Sequence, residues 1–540
     1  MKDISSTGSF INFYLNNYIY VDKTKYIRDL IKLERVFISR PRRFGKSLTL
    51  DTIATLFETG VEPYFKGTWI YDKWTEPTYP VLRLNFLNFD KNSLEKFNNK
   101  LNSKITEFAE LNHVTTYKEK EEAEDSIDHL LEQLRLEGRQ IVILIDEYDC
   151  QMTANINNET LYKQFQEKIK SFYATIKNKW PIKFLGITGV TRLKDVEIFS
   201  IGSDIRDITN ASAYSQMIGF TRDEIKKYYI DYLTLAASYE NNCSVDKVTD
   251  AQIESMLDMM AQNYDGYCFD EFYKKKVFST WSVNSFFQSI IENKFVYFDE
   301  YWYDNGGLPS ILVNYLKTHE LNIFEYLDKD KFLKVSSDDF KNPTALTTIN
   351  QNVLMCQTGY LTLRSDLNKT STVALGIPNG EIYKALNRLL ANNIFKGNTD
   401  ITDDYGRSLL EVGTVDDIIN LFNSALNSVS YDNYPIVSES SVQNMLKLYL
   451  LGAHQEVLSE VHEAKGRADL VVNTDNKRIV FEFKYAKNET EAKSKLSEAV
   501  EQIKSRDYGN TEPKKAELLR IAAAFNADPK VRAFTEYQSV

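Results

Sequence analysis

Cysteine, proline and long apolar runs are all scarce in this chain, and each shortage excludes a class of protein. Only four of the 540 residues are cysteines, at positions 150, 243, 268 and 356, without zinc-ligand spacing or the density of a disulfide-rich secreted domain. The 33 Tyr and 31 Phe against 11 Pro exclude a largely disordered chain. No stretch approaches the roughly 18 apolar residues of a membrane span, and the first residues lack an apolar signal core. We therefore expect a cytoplasmic globular protein with no membrane association.

The chain also lacks an excess of positive charge, because its net charge is −11. A protein that coats nucleic acid through its overall field would be basic. Any contact with nucleic acid must therefore come from local patches. The hydrophobic share of 43% and the charged share of 26% are ordinary, and the length predicts two to four domains.

A basic loop between an apolar run and a helical pattern carries the most informative motif, Arg40-Pro-Arg-Arg-Phe-Gly-Lys-Ser47. Strand, loop and helix N-terminus in this order build a phosphate-binding loop, whose amides and helix dipole cradle phosphates. Gly45, Lys46 and Ser47, together with Arg43, would bind ATP, with Lys46 on the β and γ oxygens and Ser47 on Mg²⁺. The usual pattern has glycine at the first position of this loop, which here is arginine. A plain basic turn is therefore the alternative.

A second motif follows at Ile141 to Ile145, five apolar residues that end in Asp146-Glu147. Such a run predicts a strand buried on both faces of a parallel sheet. The two carboxylates then lie at the carboxyl edge of the sheet, where ligands of such folds bind. Asp146 would hold Mg²⁺ through water, and Glu147 would polarise the attacking water. Both motifs in this order predict an ATPase core.

A third strand is predicted from Ile182 to Arg192. Thr188 on this strand could contact the γ-phosphate or the attacking water. Arg192 and Arg206 are candidates for the positive charge that the transferring phosphoryl group needs. For either arginine, a surface salt bridge is the alternative.

Near the C-terminus, two strand-like runs joined by a polar turn at 473–477 predict an antiparallel hairpin. Asp469 lies near the start of the first strand. Glu482 and Lys484 alternate on the second, which puts both on one face, with Phe481 and Phe483 on the other. Buried charges need partners or a metal, so these three polar residues predict a hard-cation site beside a base. An exposed charged hairpin is the alternative.

This hairpin resembles the PD-(D/E)XK nuclease family. The resemblance implies that Asp469 and Glu482 bind Mg²⁺ and that Lys484 orients or activates the water that attacks a phosphodiester. Glu439, at the start of a predicted helix, matches the family's further acidic metal ligand, and Glu460 competes for that role. Gln502 matches a glutamine on the following helix.

The whole chain resembles a bacterial family of AAA-ATPase-like proteins with a C-terminal PD-(D/E)XK domain. The matching phrases are Tyr20-Val-Asp-Lys-Thr24, Arg40 to Ser47, Leu144-Ile-Asp-Glu-Tyr-Asp149, Thr188-Gly-Val190, Tyr264-Asp-Gly-Tyr267, Gln357-Thr-Gly-Tyr-Leu361 and Gly466-Arg-Ala-Asp469. The resemblance implies an α/β fold with four parts. They are a P-loop AAA-like ATPase core at 1–220, a helical lid at 221–340, a mixed α/β connecting region at 341–425 and a PD-(D/E)XK nuclease-like domain at 426–540.

Between the two motif-rich ends the sequence predicts less. Trp302, Gly306 and Gly307 are expected to pack in the interior rather than to line a pocket, and 400–406 is expected to be an acidic loop. His454 and His462 are expected to lie on the surface.

These patterns predict an ATP-hydrolysing protein coupled to a Mg²⁺-dependent nuclease that ATP could gate. Its partner would be nucleic acid, with DNA favoured over RNA, and a homo-oligomer is left open. The alternative is a nucleotide-dependent switch or scaffold whose C-terminal domain binds nucleic acid or a partner without cutting. Net acidity favours this alternative, whereas the intact Asp469, Glu482 and Lys484 favour the nuclease.

Overall fold

A computed structural model describes the side chains and backbone of most of the chain. The described residues are 1–193, 204–302, 310–316, 323–343, 345–395, 406–430, 432, 434–453, 455–463, 466–510 and 514–540. Gly306, Gly307, His454 and most of the predicted acidic loop lie outside them. The chain forms two compact units, one of Met1–Leu321 with Asp330–Ile382 and one of Asn322–Lys329 with Tyr383–Val540.

The first unit is built on a parallel five-stranded sheet in the order β2-β3-β4-β1-β5. Its strands are β1 (Arg35–Ser39), β2 (Val81–Asn85), β3 (Ile141–Asp146), β4 (Ile182–Gly189) and β5 (Arg206–Asp207). β1 and β3 are buried along their whole length, as their apolar runs predict. Because the strands are parallel, the carboxyl ends of β1, β3 and β4 meet at one edge of the sheet.

Helices surround this sheet and continue beyond it. They are α1 (Phe10–Leu15), α2 (Thr24–Ile31), α3 (Lys46–Thr59), α4 (Leu94–Leu111), α5 (Ala123–Leu136), α6 (Cys150–Ala154), α7 (Glu159–Ile176), α8 (Arg222–Tyr228), α9 (Ile230–Glu240), α10 (Asp250–Tyr264), α11 (Thr280–Asn293) and α12 (Ser310–Leu316). Helices α8 to α12 lie within 221–340, the range in which the resemblance predicts a helical lid. Capping boxes begin α8 at Thr221 and α10 at Thr249.

A three-stranded antiparallel sheet follows in the order β6-β8-β7. It comprises β6 (Leu333–Ser336), β7 (Thr362–Leu363) and β8 (Thr372–Gly376), with α13 (Ser337–Lys341), α14 (Gln351–Thr358) and the start of α15 (Gly380–Ile394). Gly266 approaches the turn before α15 so closely that a Cβ atom would lie 2.2 Å from the carbonyl oxygen of Pro378. The Tyr264–Tyr267 phrase is therefore a packing site for this turn.

Glu381 lies buried at the start of α15, and we expect it to make stability depend on pH. Its carboxylate accepts hydrogen bonds from the Trp302 backbone N–H and the Ser282 hydroxyl, both at 2.8 Å. Burial raises the pKa of Glu381 from its ordinary value of 4.5 to about 8. Because the pKa of Glu381 is higher in the folded than in the unfolded protein, protonation of Glu381 favours the folded state. This contribution to the free energy of unfolding is complete below pH 4.5 and is lost as the pH rises through 8.

Glu381→Gln is neutral at every pH and should remove this dependence. The urea midpoint of the wild type should therefore fall more between pH 5 and pH 8 than the midpoint of the variant. Parallel pH profiles for the two proteins would contradict this role of Glu381.

The second unit contains a mixed five-stranded sheet in the order β13-β12-β11-β10-β9. Its elements are α16 (Arg407–Val412), α17 (Val415–Asn427), α18 (Glu439–Gly452), β9 (Glu456–Glu463), β10 (Gly466–Asn473), β11 (Lys477–Ala486), α19 (Glu489–Arg506), β12 (Glu517–Asn526) and β13 (Ala533–Ser539). β10 and β11 form the predicted antiparallel hairpin, and β11 pairs with β12 in parallel. The rings of Phe481 and Phe483 stack on the face opposite Glu482, 5.6 Å apart. Among the described residues, no helix has both the length and the apolar character needed to cross a membrane.

Candidate functional sites

The loop between β1 and α3 has the geometry of a phosphate-binding loop. Gly45 is the N-cap of α3 with φ of +100°, in the left-handed region that favours glycine. The first turn of α3 contains no acidic residue. Its unpaired amides and the positive end of the helix dipole therefore form a site for an anion.

Lys46 is buried beside this helix start, with 4% of its surface exposed. Its ammonium donates hydrogen bonds to the carbonyl oxygens of Arg40 at 3.0 Å and Pro41 at 3.1 Å. Glu147 lies 3.7 Å from the Lys46 ammonium and has a left-handed backbone with φ of +52°. Burial raises the pKa of Glu147, and the nearby Lys46 charge opposes that rise. A carboxylate with a raised pKa in this position can accept a proton from water.

Asp146 at the end of β3 brings the other predicted residues together. One carboxylate oxygen accepts the Ser47 hydroxyl at 2.6 Å, and the other accepts the Thr188 hydroxyl at 2.5 Å. The structure thus joins the phosphate loop, β3 and β4 at one carboxylate. A hydroxyl and a carboxylate in contact are oxygen ligands of the kind that Mg²⁺ takes.

The arginine-rich part of the loop is held by aromatic residues that follow much later in the chain. Arg40 is buried, and its guanidinium lies 4.1 Å from the centre of the Phe269 ring. Phe44 packs edge-on against Tyr267 at 4.7 Å. These aromatic contacts explain why arginine and phenylalanine occupy a loop that is usually small and flexible.

Two tryptophans complete this support. Arg43 stacks over Trp281 at 3.9 Å, and the Arg43 carbonyl accepts the Trp281 amide at 3.3 Å. The indole N–H of Trp302, a fully buried side chain as predicted, donates to the Arg42 carbonyl at 3.2 Å. The phosphate loop is thereby tied to residues more than 200 positions away.

A cavity of about 480 Å³ opens over the loop. Its polar wall includes Gly45, Lys46, Ser47 and Glu147, and its apolar wall includes Ile218. Other apolar lining residues are Ile19, Val21, Met217 and Phe220. The volume is within the roughly 300–1,000 Å³ of small-molecule sites. The phosphate-binding end beside an apolar slot suits a nucleotide.

The two arginines that are candidates for the positive charge near the phosphoryl group lie just after β4 and on β5. Arg192 donates a hydrogen bond to the Asp207 carboxylate, and Arg206 is exposed on β5. Sequence reasoning missed the role of Asp149, which is buried and accepts both the amide and the hydroxyl of Thr191, at 2.7 and 2.6 Å. Asp149 therefore holds the chain that follows β4 against the end of β3.

The second unit brings Asp469, Glu482 and Lys484 together, and we call this group the carboxylate–lysine site. Leu470 pairs with Phe481 in the hairpin, which sets Asp469 beside Glu482. The Lys484 ammonium donates to a Glu482 carboxylate oxygen at 2.8 Å. Asp469 accepts the backbone N–H of Phe483 at 2.8 Å.

The carboxylates of this site are buried close together, and their burial and the repulsion of neighbouring carboxylates raise their pKa values. Burial raises the pKa of Asp469 to about 6 and that of Glu482 to about 7, and the Asp469 charge adds to the second effect. Oε2 of Glu482 is buried without a hydrogen-bond partner in the described structure. A divalent cation would give this oxygen a partner and offset the repulsion between the two carboxylates.

Glu439 reaches the same lysine from the start of α18. Its carboxylate accepts the Lys484 ammonium at 3.3 Å. The competing Glu460 instead pairs with Arg467. Within the described ranges, no group of three or more His, Cys, Asp or Glu side chains is close enough to hold a metal ion. Lys484 bridges Glu439 and Glu482, whereas the Asp469 carboxylate is held by the Phe483 backbone, so the three carboxylates are not gathered around one point.

Gln443 is a part of the site that sequence reasoning missed. It lies one turn after Glu439, and its amide donates to the backbone carbonyl of Asp469 at 2.5 Å and to Glu460 at 3.3 Å. Its spacing of four residues from Glu439 is the signal that could have indicated a residue on the same helix face.

Comparisons with known proteins agree with this arrangement. Residues 5–199 match a family described as "Predicted AAA-ATPase" (AAA-ATPase-like), and residues 437–534 match the PD-(D/E)XK nuclease superfamily. The predicted order of an N-terminal ATPase-like domain and a C-terminal nuclease-superfamily domain, and the α/β fold class, are thereby confirmed.

Two individual proteins are also similar to the chain. The "uncharacterized protein in vnfD 5'region" of Azotobacter chroococcum mcd 1 is 25% identical over 94% of this chain and 92% of its own length. The crystal structure of Cdc6p from Pyrobaculum aerophilum aligns with 68% of this chain and 92% of that chain, at 11% identity and a TM-score of 0.22.

Proposed function

We propose that this protein, AAA-ATPase-like in its N-terminal region and of the PD-(D/E)XK nuclease superfamily in its C-terminal region, hydrolyses ATP and cleaves phosphodiesters with Mg²⁺. The observation that supports the proposed nuclease activity is the carboxylate–lysine site. It places two carboxylates with raised pKa values and one ammonium together on the buried hairpin.

At this site Asp469 and Glu482 would hold Mg²⁺, with Glu439 as a further acidic contributor. The metal, when bound, supplies Lewis acidity for the phosphoryl oxygen and lowers the pKa of a water. Lys484 would hold the attacking water by hydrogen bonding, because its ammonium already lies beside both Glu482 and Glu439. Gln443 would keep the Asp469 backbone in position.

In the first unit, Gly45, Lys46 and Ser47 would hold the phosphates of ATP, with Arg43 beside them. Lys46 would exchange its backbone carbonyl partners for phosphate oxygens, which frees Glu147 from its contact with the ammonium. Glu147 would then orient the attacking water as general base. Ser47 and Asp146 would hold Mg²⁺, and Thr188 would keep the Asp146 carboxylate oriented.

Metal binding tests the nuclease part without depending on a substrate. In full-length protein without nucleotide, Mn²⁺ at about 100 times its Kd should stabilise the wild type by about 2.7 kcal/mol, and Asp469→Asn should lose this gain. Asparagine cannot supply a charged ligand, yet it fits the site. Asp475→Asn, in the exposed hairpin turn, is the matched control and should behave as the wild type does. Equal stabilisation of Asp469→Asn and the wild type would refute the metal site.

The wider proposal is that ATP binding or hydrolysis gates the nuclease in a cytoplasmic protein that acts on DNA. ATP, which the first site would use, and Mg²⁺, which both sites would use, are available together in that compartment. The domain boundaries at 220, 340 and 425 and a homo-oligomeric state stay predictions. If the protein hydrolyses ATP but cuts no nucleic acid, the switch or scaffold function replaces the nuclease.

A further inference from the structure

The side chain of Arg506, the last residue of α19, packs closely against Gly466, the first residue of β10. A Cβ atom at Gly466 would lie 2.5 Å from Cδ of Arg506 and 3.3 Å from both Nε and Nη1. Real Cβ atoms do not make contacts of 2.5 Å, so a larger residue at position 466 would force the Arg506 side chain to shift from this position. The Gly466-Arg-Ala-Asp469 phrase thus begins with a residue that admits an arginine from another element.

Tyr508 anchors Arg506 in this position. The Arg506 guanidinium donates to the Tyr508 hydroxyl at 2.9 Å, and Gln502 donates to the same oxygen at 3.2 Å. Tyr508 is fully buried. Arg520 fixes the turn by donating to the Tyr508 carbonyl at 2.6 Å and to the Asp507 carboxylate at 2.7 Å. These hydrogen bonds therefore fix the position of the Arg506 guanidinium.

The Arg506 side chain is exposed, and it lies against Gly466, three residues before Asp469 on β10. The bond to Tyr508 is the main cause that raises the pKa of Arg506, and the charges of Glu482 and Asp469 raise it further. A guanidinium has five N–H donors in a planar fork. The contact with Tyr508 uses one, so donors remain for a ligand.

We propose that Arg506 is a substrate-binding residue that contacts a backbone phosphate of DNA next to the phosphodiester at the carboxylate–lysine site. This inference rests on the proposed nuclease function. A polyanion that approaches Asp469, Glu482 and Glu439 on a chain of net charge −11 needs local positive charge. The arginine fork matches the geometry of phosphate oxygens and supplies that charge.

The test is the salt dependence of DNA binding, since a structural arginine would not change it. Full-length protein carrying Glu482→Gln, which prevents cutting, is titrated onto a fluorescein-labelled 30-base-pair DNA between 50 and 300 mM KCl. Arg506→Ala should weaken binding and lower the slope of log K against log salt by about 1, the loss of one phosphate contact. Lys493→Ala removes one charge from the same helix about 20 Å away, at 1.5 Å per residue, and should keep the slope.

A double-mutant cycle with Gly466→Ala sharpens the result. The added methyl group displaces Arg506, so Gly466→Ala alone should reproduce the weaker binding, and adding it to Arg506→Ala should cost nothing further. Equal slopes for Arg506→Ala and Lys493→Ala would overturn the inference and leave the nuclease proposal standing. Failure of the Glu482→Gln parent to bind, together with absence of cleavage by the wild type, would overturn both.

Discussion

Glu482→Gln should reduce the rate of cleavage of supercoiled plasmid DNA in Mg²⁺ by more than about 100-fold. Mutation of residues that only hydrogen-bond to metal ligands already lowers metal affinity or activity by roughly 10–100-fold, and Glu482 is proposed as a ligand itself. The substitution removes the charge from Oε2, which is buried without a hydrogen-bond partner in the described structure. It also removes the acceptor charge of the 2.8 Å contact with Lys484. The proposed metal ligand and the position of the lysine are thus lost together.

The fold should survive this change, which separates loss of chemistry from loss of structure. Burial raises the pKa of Glu482 from 4.5 to about 7. The stability linked to this group is therefore lost as the pH rises through 7, and neutral glutamine escapes that loss. At pH 8 the variant should unfold at the same urea concentration as the wild type or a higher one. Glu498→Gln, on the exposed side of α19, is the control for activity, and a Glu482→Gln rate within tenfold of this control would count against the site.

Lys46→Ala should lower ATP hydrolysis by about 10²–10³-fold, the typical effect of removing one preorganised group that faces developing charge. Lys46 is the buried cation at the start of α3, and its present partners are two loop carbonyls and Glu147. Without it, the γ-phosphate would lose the positive charge of a buried ammonium at the start of α3. Glu147 also loses the charge that restrains the rise of its pKa.

Phosphate release measures the effect of Lys46→Ala on ATP hydrolysis. The binding of a fluorescent ATP analogue measures its effect on nucleotide binding separately. Lys163→Ala on α7 removes an exposed lysine of the same unit and should hydrolyse ATP at the wild-type rate. Hydrolysis by Lys46→Ala at the rate of this control would mean that the loop does not bind the phosphates.

The parts of both sites that could be predicted are local in the sequence. An apolar run that ends in Asp146-Glu147 predicts a buried strand with carboxylates at its edge. Alternation along β11 predicts that Glu482 and Lys484 share a face. In each case the residue pattern of one strand places the side chain, by a continuous apolar run in β3 and by alternation in β11, and the structure agrees.

The parts that could not be predicted depend on contacts between distant segments. Nothing near Arg40 indicates that it stacks on Phe269, because that contact joins residues more than 200 positions apart. Gln443 contacts the backbone of Asp469, and a backbone acceptor leaves no signal in the sequence. The close contact of Gly466 with Arg506 on α19 is not indicated by the residues next to Gly466 in the sequence.

The nicking rate of supercoiled plasmid in Mg²⁺ with and without ATP tests most directly whether the nucleotide state controls cleavage. We predict that ATP changes the rate of the wild type by about 5–150-fold, the range of typical coupling between sites. Lys46→Ala should cut at one rate whether or not ATP is present. A wild-type protein that cuts equally fast with and without ATP would contradict the claim, because the two sites would then work independently.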